Sequence, residues 1–189
     1  MDGMLMAVTV FVCLPLLTLL GLGCLLYCRG KNQKHLAAAS AVLCGSLFLL
    51  LGGEVILGCF GLTWRNIPAS LLWTAALVSG FLGLLLTLGC FLPMELPKWP
   101  RVLRWSSKLL ALLCAGLVVY HALLFGFLLL VFSWGEKEQV VEYQGQTLLE
   151  VDAGFLDPIY DYYEYHGPLF RGNERLYSSQ HTHIWGDYE

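Results

Sequence analysis

Four apolar runs, Met4–Tyr27, Leu36–Phe60, Ala69–Leu92 and Leu109–Phe132, restrict the fold of this 189-residue chain more than any other feature. Each supplies the ~20 apolar residues needed to cross about 30 Å of hydrocarbon. Hydrophobic residues reach 57% and charged residues only 13%, against about 25% charged in soluble domains. A backbone in lipid must pair its own N–H and C=O groups, so the runs are expected as helices at about 4–27, 36–60, 69–92 and 109–132. Short connections make neighbouring helices antiparallel. The expected fold is an all-α membrane domain of four transmembrane helices in an antiparallel bundle over residues 1–134, with a small C-terminal antiparallel β module over 135–189. The first run reads as a retained helix, because no Lys or Arg precedes Arg29 and no Ala-x-Ala cleavage site follows. Gly21-Leu22-Gly23-Cys24 has the outline of a lipoprotein box but lacks the charged segment that such signals carry.

Charge divides at Trp134. Up to it the chain has eight Lys/Arg and three Asp/Glu, a net of +5; beyond it there are three and eleven, a net of −8. The cations of the first part gather in two loops, 28–35 (Arg29, Lys31, Lys34) and 93–108 (Lys98, Arg101, Arg104, Lys108), whereas Arg65 and Lys137 stand alone. The positive-inside rule places those two loops in the cytoplasm of a plasma-membrane protein, and the N-terminus, the loop Gly61–Pro68 and the tail outside. Trp64, Trp73 and Trp134 then mark the outer interface, with Tyr27, Trp99 and Trp105 at the inner one. Pro93, Pro97 and Pro100 predict an irregular third loop.

All seven cysteines (13, 24, 28, 44, 59, 90 and 114) lie in or beside the apolar runs, and the tail has none. Cys24 and Cys28 share a helical face, which suits acylation or redox pairing but more simply small-residue packing. A four-helix thiol oxidoreductase needs exposed cysteine pairs on the oxidising side, and Gly61–Pro68 offers none. No phosphate-binding loop, dinucleotide turn, nucleophile elbow or zincin motif occurs. The reading therefore turns away from an enzyme and from any cofactor, with a membrane enzyme lacking short motifs kept as a third class. An acidic tail also turns it away from nucleic acid.

Two ionisable residues interrupt the runs: Glu54 in the second, and His121, beside Tyr120, in the fourth. Such groups at membrane depth suggest a proton or cation path. Alternatively, Glu54 meets Arg65 or water at the interface and a neutral His121 bonds a neighbouring helix. Gly52-Gly53 and Ser79-x-x-x-Gly83 permit close helix approach.

In the tail, Gln139–Tyr143 and Thr147–Val151 flank the loop Gln144-Gly145-Gln146 as a hairpin. Pro158–Tyr165 reads as a strand, Gly167-Pro168 and Arg171-Gly172-Asn173-Glu174 as turns, and Arg175–Ser179 as a last strand. A domain this small is marginal on its own, so docking on Gly61–Pro68 or on the helix ends would help it. Tyr160, Tyr162, Tyr163, Glu164 and Tyr165 are candidates for an interaction surface, because tyrosine offers rigid area with a polar tip, although tyrosine also packs across sheets. His181 and His183, with His166, Asp187 and Glu189, are the nearest approach to a metal site. A chain terminus converges ligands poorly, so no metal is expected.

The run Asp161-Tyr162-Tyr163-Glu164-Tyr165-His166-Gly167-Pro168-Leu169-Phe170-Arg171-Gly172, within Val140–Tyr177, resembles the exported tail of small Gram-positive (Firmicutes) membrane proteins that have no assigned activity. The resemblance spans about a fifth of the chain. It implies a bacterial plasma membrane and an exported tail, and carries over no site residue. The four helices depart from the single-anchor form of those proteins. The functional expectation is a multi-pass anchor for an exported acidic β module that binds a protein, an envelope component or another copy of itself. The alternative is a small transporter or channel subunit using Glu54 and His121.

Overall fold

The computed structural model describes residues 6–27, 31–94, 100–126, 128, 131, 134, 137–143, 145–152 and 159–180. Four helices are long and apolar enough to cross a membrane: α1 Met6–Tyr27, α2 Asn32–Cys59, α3 Asn66–Phe91 and α4 Arg101–Gly126. At 1.5 Å per residue, their 22 to 28 residues extend for about 33–42 Å. The chain is a multi-pass membrane protein by this measure. The helix α4 begins right after Pro100, earlier than the apolar run, so Arg101, Arg104 and Lys108 are helical. Cys28, Arg29, Pro97, Lys98 and Trp99, like His181, His183, Asp187 and Glu189, lie outside the described residues.

Three of the helices contain a π-helical turn: Thr9–Cys13 in α1, Phe48–Gly52 in α2 and Ala122–Gly126 in α4. Such turns are rare and concentrate at functional positions.

The chain forms two compact units, Met1–Gly45 with Ala75–Leu128, and Ser46–Thr74 with Leu129–Glu189. In the first, Cys13 and Leu17 of α1 pack with Cys114 and Ala115 of α4, and Leu84 and Leu88 of α3 close over them. A second cluster joins Cys24, Leu36 and Cys90. The end of α1 thus meets the start of α2 and the end of α3, as an antiparallel bundle requires. Small side chains occupy these contacts because helices in lipid associate by close packing rather than by hydrophobic exclusion. Larger apolar residues such as Phe11, Leu19 and Leu85 point outward, where hydrocarbon is their solvent.

In the second unit, five antiparallel strands lie in the order β1-β5-β4-β3-β2, with β1 Leu62–Trp64, β2 Glu138–Tyr143, β3 Gln146–Asp152, β4 Tyr160–Tyr165 and β5 Phe170–Ser179. The β2–β3 hairpin pairs Tyr143 with Gln146, and Gly145 takes φ +77°, a left-handed conformation that favours glycine. Leu148, Leu149, Val151 and Tyr162 are its buried centre.

Two expectations change. Residues Arg171–Glu174 form no turn; they are part of β5, where Gly172 faces Leu62 and Arg171 faces Thr63. Pairing on both sides overrides the local turn signal, and the mismatch is absorbed as register shifts against Tyr162–Tyr165. The other change is β1 itself: the Gly61–Pro68 loop does not merely receive the tail but supplies an edge strand of its sheet.

Candidate functional site

The α2–α3 connection and the tail meet at Arg65. Its backbone N–H donates to Leu169 O at 3.0 Å, and its Nη1 to Gly167 O at 3.3 Å. Its Nε donates to Glu138 Oε2 at 2.8 Å, forming an ion pair with side chains 12% and 3% exposed. The second oxygen of Glu138 accepts the Asn66 N–H at 2.9 Å. That N–H opens α3, where the first amides have no helical partner and the helix dipole favours negative charge. One carboxylate therefore neutralises Arg65 and caps a membrane-spanning helix. The guanidinium also lies 5.6 Å from the Tyr165 ring centroid, within cation–π range.

Beside it, Arg171 sits over Tyr163 at 4.2 Å. Its Nε and Nη1 are enclosed and find no hydrogen-bond acceptor among the described residues. Trp64 stacks obliquely on Phe170 at 5.1 Å and packs against Gly53, and its Nε1 likewise finds no acceptor. Two alternate tyrosines of β4 thus each carry an arginine, one from the residue after β1 and one from β5.

Of the tyrosine strand, Tyr162 is fully buried and its hydroxyl donates to Glu150 Oε2 at 2.7 Å. Tyr160, Tyr163 and Tyr165 are half-buried. Glu164 is exposed, 3.2 Å from His166 Nε2. Asp161 pairs with Arg175 at 3.4 Å. These residues form one acidic, tyrosine-bearing strand in which Asp161 and Tyr162 are buried and Tyr160, Tyr163, Glu164 and Tyr165 reach the surface at least in part.

Glu54 lies two residues beyond the π-turn of α2 and accepts a hydrogen bond from Thr63 Oγ1 at 2.6 Å. Arg65, the other partner considered for it, is engaged by Glu138. His121 directly precedes the π-turn of α4. Its Nδ1 lies 2.9 Å from Leu117 O and 3.2 Å from Thr9 Oγ1, which belongs to the π-turn of α1. A carbonyl only accepts, so the Leu117 contact places the proton on Nδ1. Phe125 stacks on the imidazole at 6.1 Å, and Tyr120 approaches it edge-on at 5.2 Å. Glu54 and His121 belong to different compact units, and each has its own hydroxyl partner.

No group of three metal-ligating side chains occurs among the described residues. The sequence offered Arg65 as a lone cation and as a partner for Glu54, and gave no sign of Glu138 or Arg171 as its neighbours. No family profile, curated protein or solved structure matches the chain.

Proposed function

We propose that this chain is a non-enzymatic protein of a bacterial plasma membrane that holds its acidic β module outside the cell for contact with a protein or envelope component. The loop cations and the resemblance of the tail support the orientation. The observation that carries the reading is the Arg65–Glu138 clamp, which fastens the sheet to the start of a membrane-spanning helix. A sheet anchored this firmly presents Tyr160, Tyr163, Glu164 and Tyr165 in a fixed arrangement, which lowers the entropic cost of recognition. Alkaline phosphatase fused after Glu189 should be active; an inactive phosphatase with a fluorescent cytoplasmic reporter at the same site would place the tail inside. A photo-crosslinking residue at Tyr160 should capture a discrete partner, or a second copy. Unchanged crosslinked partners and phenotype after deletion of residues 136–189 would remove the proposal.

A second reading, transport, is favoured by one observation: both ionisable residues of the apolar runs lie within two residues of a π-turn. In reconstituted vesicles it requires cation or proton flux that falls in Glu54→Gln and His121→Ala. Equal flux in all three proteins excludes it.

A further inference from the structure

Between α2 and α3 runs a recess of about 490 Å³ lined by His35, Ala38, Ala39 and Val42 on one side and by Ala75, Ser79 and Leu86 among others on the opposite one. Its depth comes from small side chains, and Gly83 lets the two helices approach at Ala39. Ser79 is the only hydroxyl-bearing residue in the lining, and its Oγ already donates to Ala75 O at 2.6 Å, so the walls offer no free polar partner along the recess. The one ionisable lining residue is His35, at the end where α2 begins. It is exposed, as is Lys34 beside it.

An apolar recess in a bilayer is not filled by water, which needs polar partners. Ala75 and Leu86 are eleven positions apart on α3, about 16 Å of helix. The walls of the recess along that length are apolar, as a single alkyl chain requires. At the His35 end, a second copy of this chain would bring like charge to like charge, whereas a phosphate would meet His35 in the lining, with the exposed Lys34 next to it in sequence. Basic residues at one end of an apolar inter-helix recess are the arrangement that anionic headgroups prefer.

We propose that this recess is a binding site for one anionic phospholipid, with an acyl chain along Ala38, Val42 and Ala75 and the phosphate held by Lys34 and His35. The site is separate from the β module and does not depend on its role.

The test uses the full chain, exchanged through nanodiscs of phosphatidylcholine doped with phosphatidylglycerol, extracted in mild detergent and weighed by native mass spectrometry. The wild type should retain phosphatidylglycerol in clear preference to phosphatidylcholine. The double variant Lys34→Ala, His35→Ala should lose that preference by fivefold or more, since each cation near a headgroup is worth about a fivefold change. Ala38→Phe and Ala75→Leu, which fill the recess from its two walls, should each lose retained lipid of both kinds while keeping wild-type helix content. Equal retention of the two lipids by the wild type overturns the proposal. So does undiminished retention in a folded Ala38→Phe or Ala75→Leu variant. Disulfide dimers formed at Val42→Cys, with no retained lipid, would assign the recess to a second copy and also overturn it.

Discussion

Arg65 and Glu138, 73 positions apart in sequence, meet as a buried ion pair, and the same carboxylate caps α3. Removing one partner leaves the other charge buried and alone, which costs about 3–5 kcal/mol. Glu138→Ala should therefore lower the stability of the sheet by about that amount, and Glu138→Gln by less, because an amide oxygen can still accept the Asn66 N–H. Protease cleavage within the tail, followed in detergent, should accelerate in the order wild type, Glu138→Gln, Glu138→Ala. Equal cleavage rates would show that the clamp does not hold the sheet.

A Cβ added at Gly53 would lie 2.9 Å from the Trp64 ring. Overpacking of this kind costs about 1–3 kcal/mol, whereas alanine in a helix gains about 1 kcal/mol over glycine. Gly53→Ala should therefore destabilise the protein when Trp64 is present. In a Trp64→Leu background the clash is gone and the same substitution should stabilise it by about 1 kcal/mol. Thermal unfolding of the four proteins measures this change of sign directly.

Why were the helices legible while one edge of the sheet was not? A membrane-spanning helix announces itself through composition alone, so α1 to α4 follow from the four apolar runs. The β2–β3 hairpin is equally local, set by alternation around Gly145. The strand β1 is three residues long and exists only because β5 lies beside it. The turn expected at Arg171–Glu174 fails for the same reason, since a tertiary partner outweighs local preference. Arg65 was visible as an isolated charge, but nothing in its neighbourhood pointed to Glu138. The π-turns near Glu54 and His121 leave no pattern in the sequence that a period of 3.6 residues would reveal.

Tyr162 and Glu150 face each other across β4 and β3, and the hydroxyl–carboxylate bond is 2.7 Å. Tyr162→Phe keeps the ring and removes the donor from a buried carboxylate, a loss of about 1–3 kcal/mol. Combining it with Glu150→Leu removes both ends of the bond, so the double variant should lose less than the sum of the two single losses. Non-additivity in this double-mutant cycle, read by chemical denaturation, is the expected result; simple additivity would mean that the bond contributes nothing.

Arg65 and Arg171 both lie over tyrosines of β4, yet their substitution should have different consequences. Arg65 has a carboxylate and a carbonyl as acceptors, whereas the enclosed Nε and Nη1 of Arg171 have none among the described residues. The contact with Tyr163 contributes about 0.5–2 kcal/mol, and enclosed N–H groups without acceptors cost about 1–3 kcal/mol. Arg171→Met preserves the aliphatic stem and removes those N–H groups, so stability should change by less than about 1 kcal/mol or should rise. Arg65→Met leaves Glu138 buried without its cation and should cost about 3–5 kcal/mol. Parallel denaturation of the two variants separates the two arginines. A comparable loss in both would mean that Arg171 is held by an acceptor as strong as the one that holds Arg65.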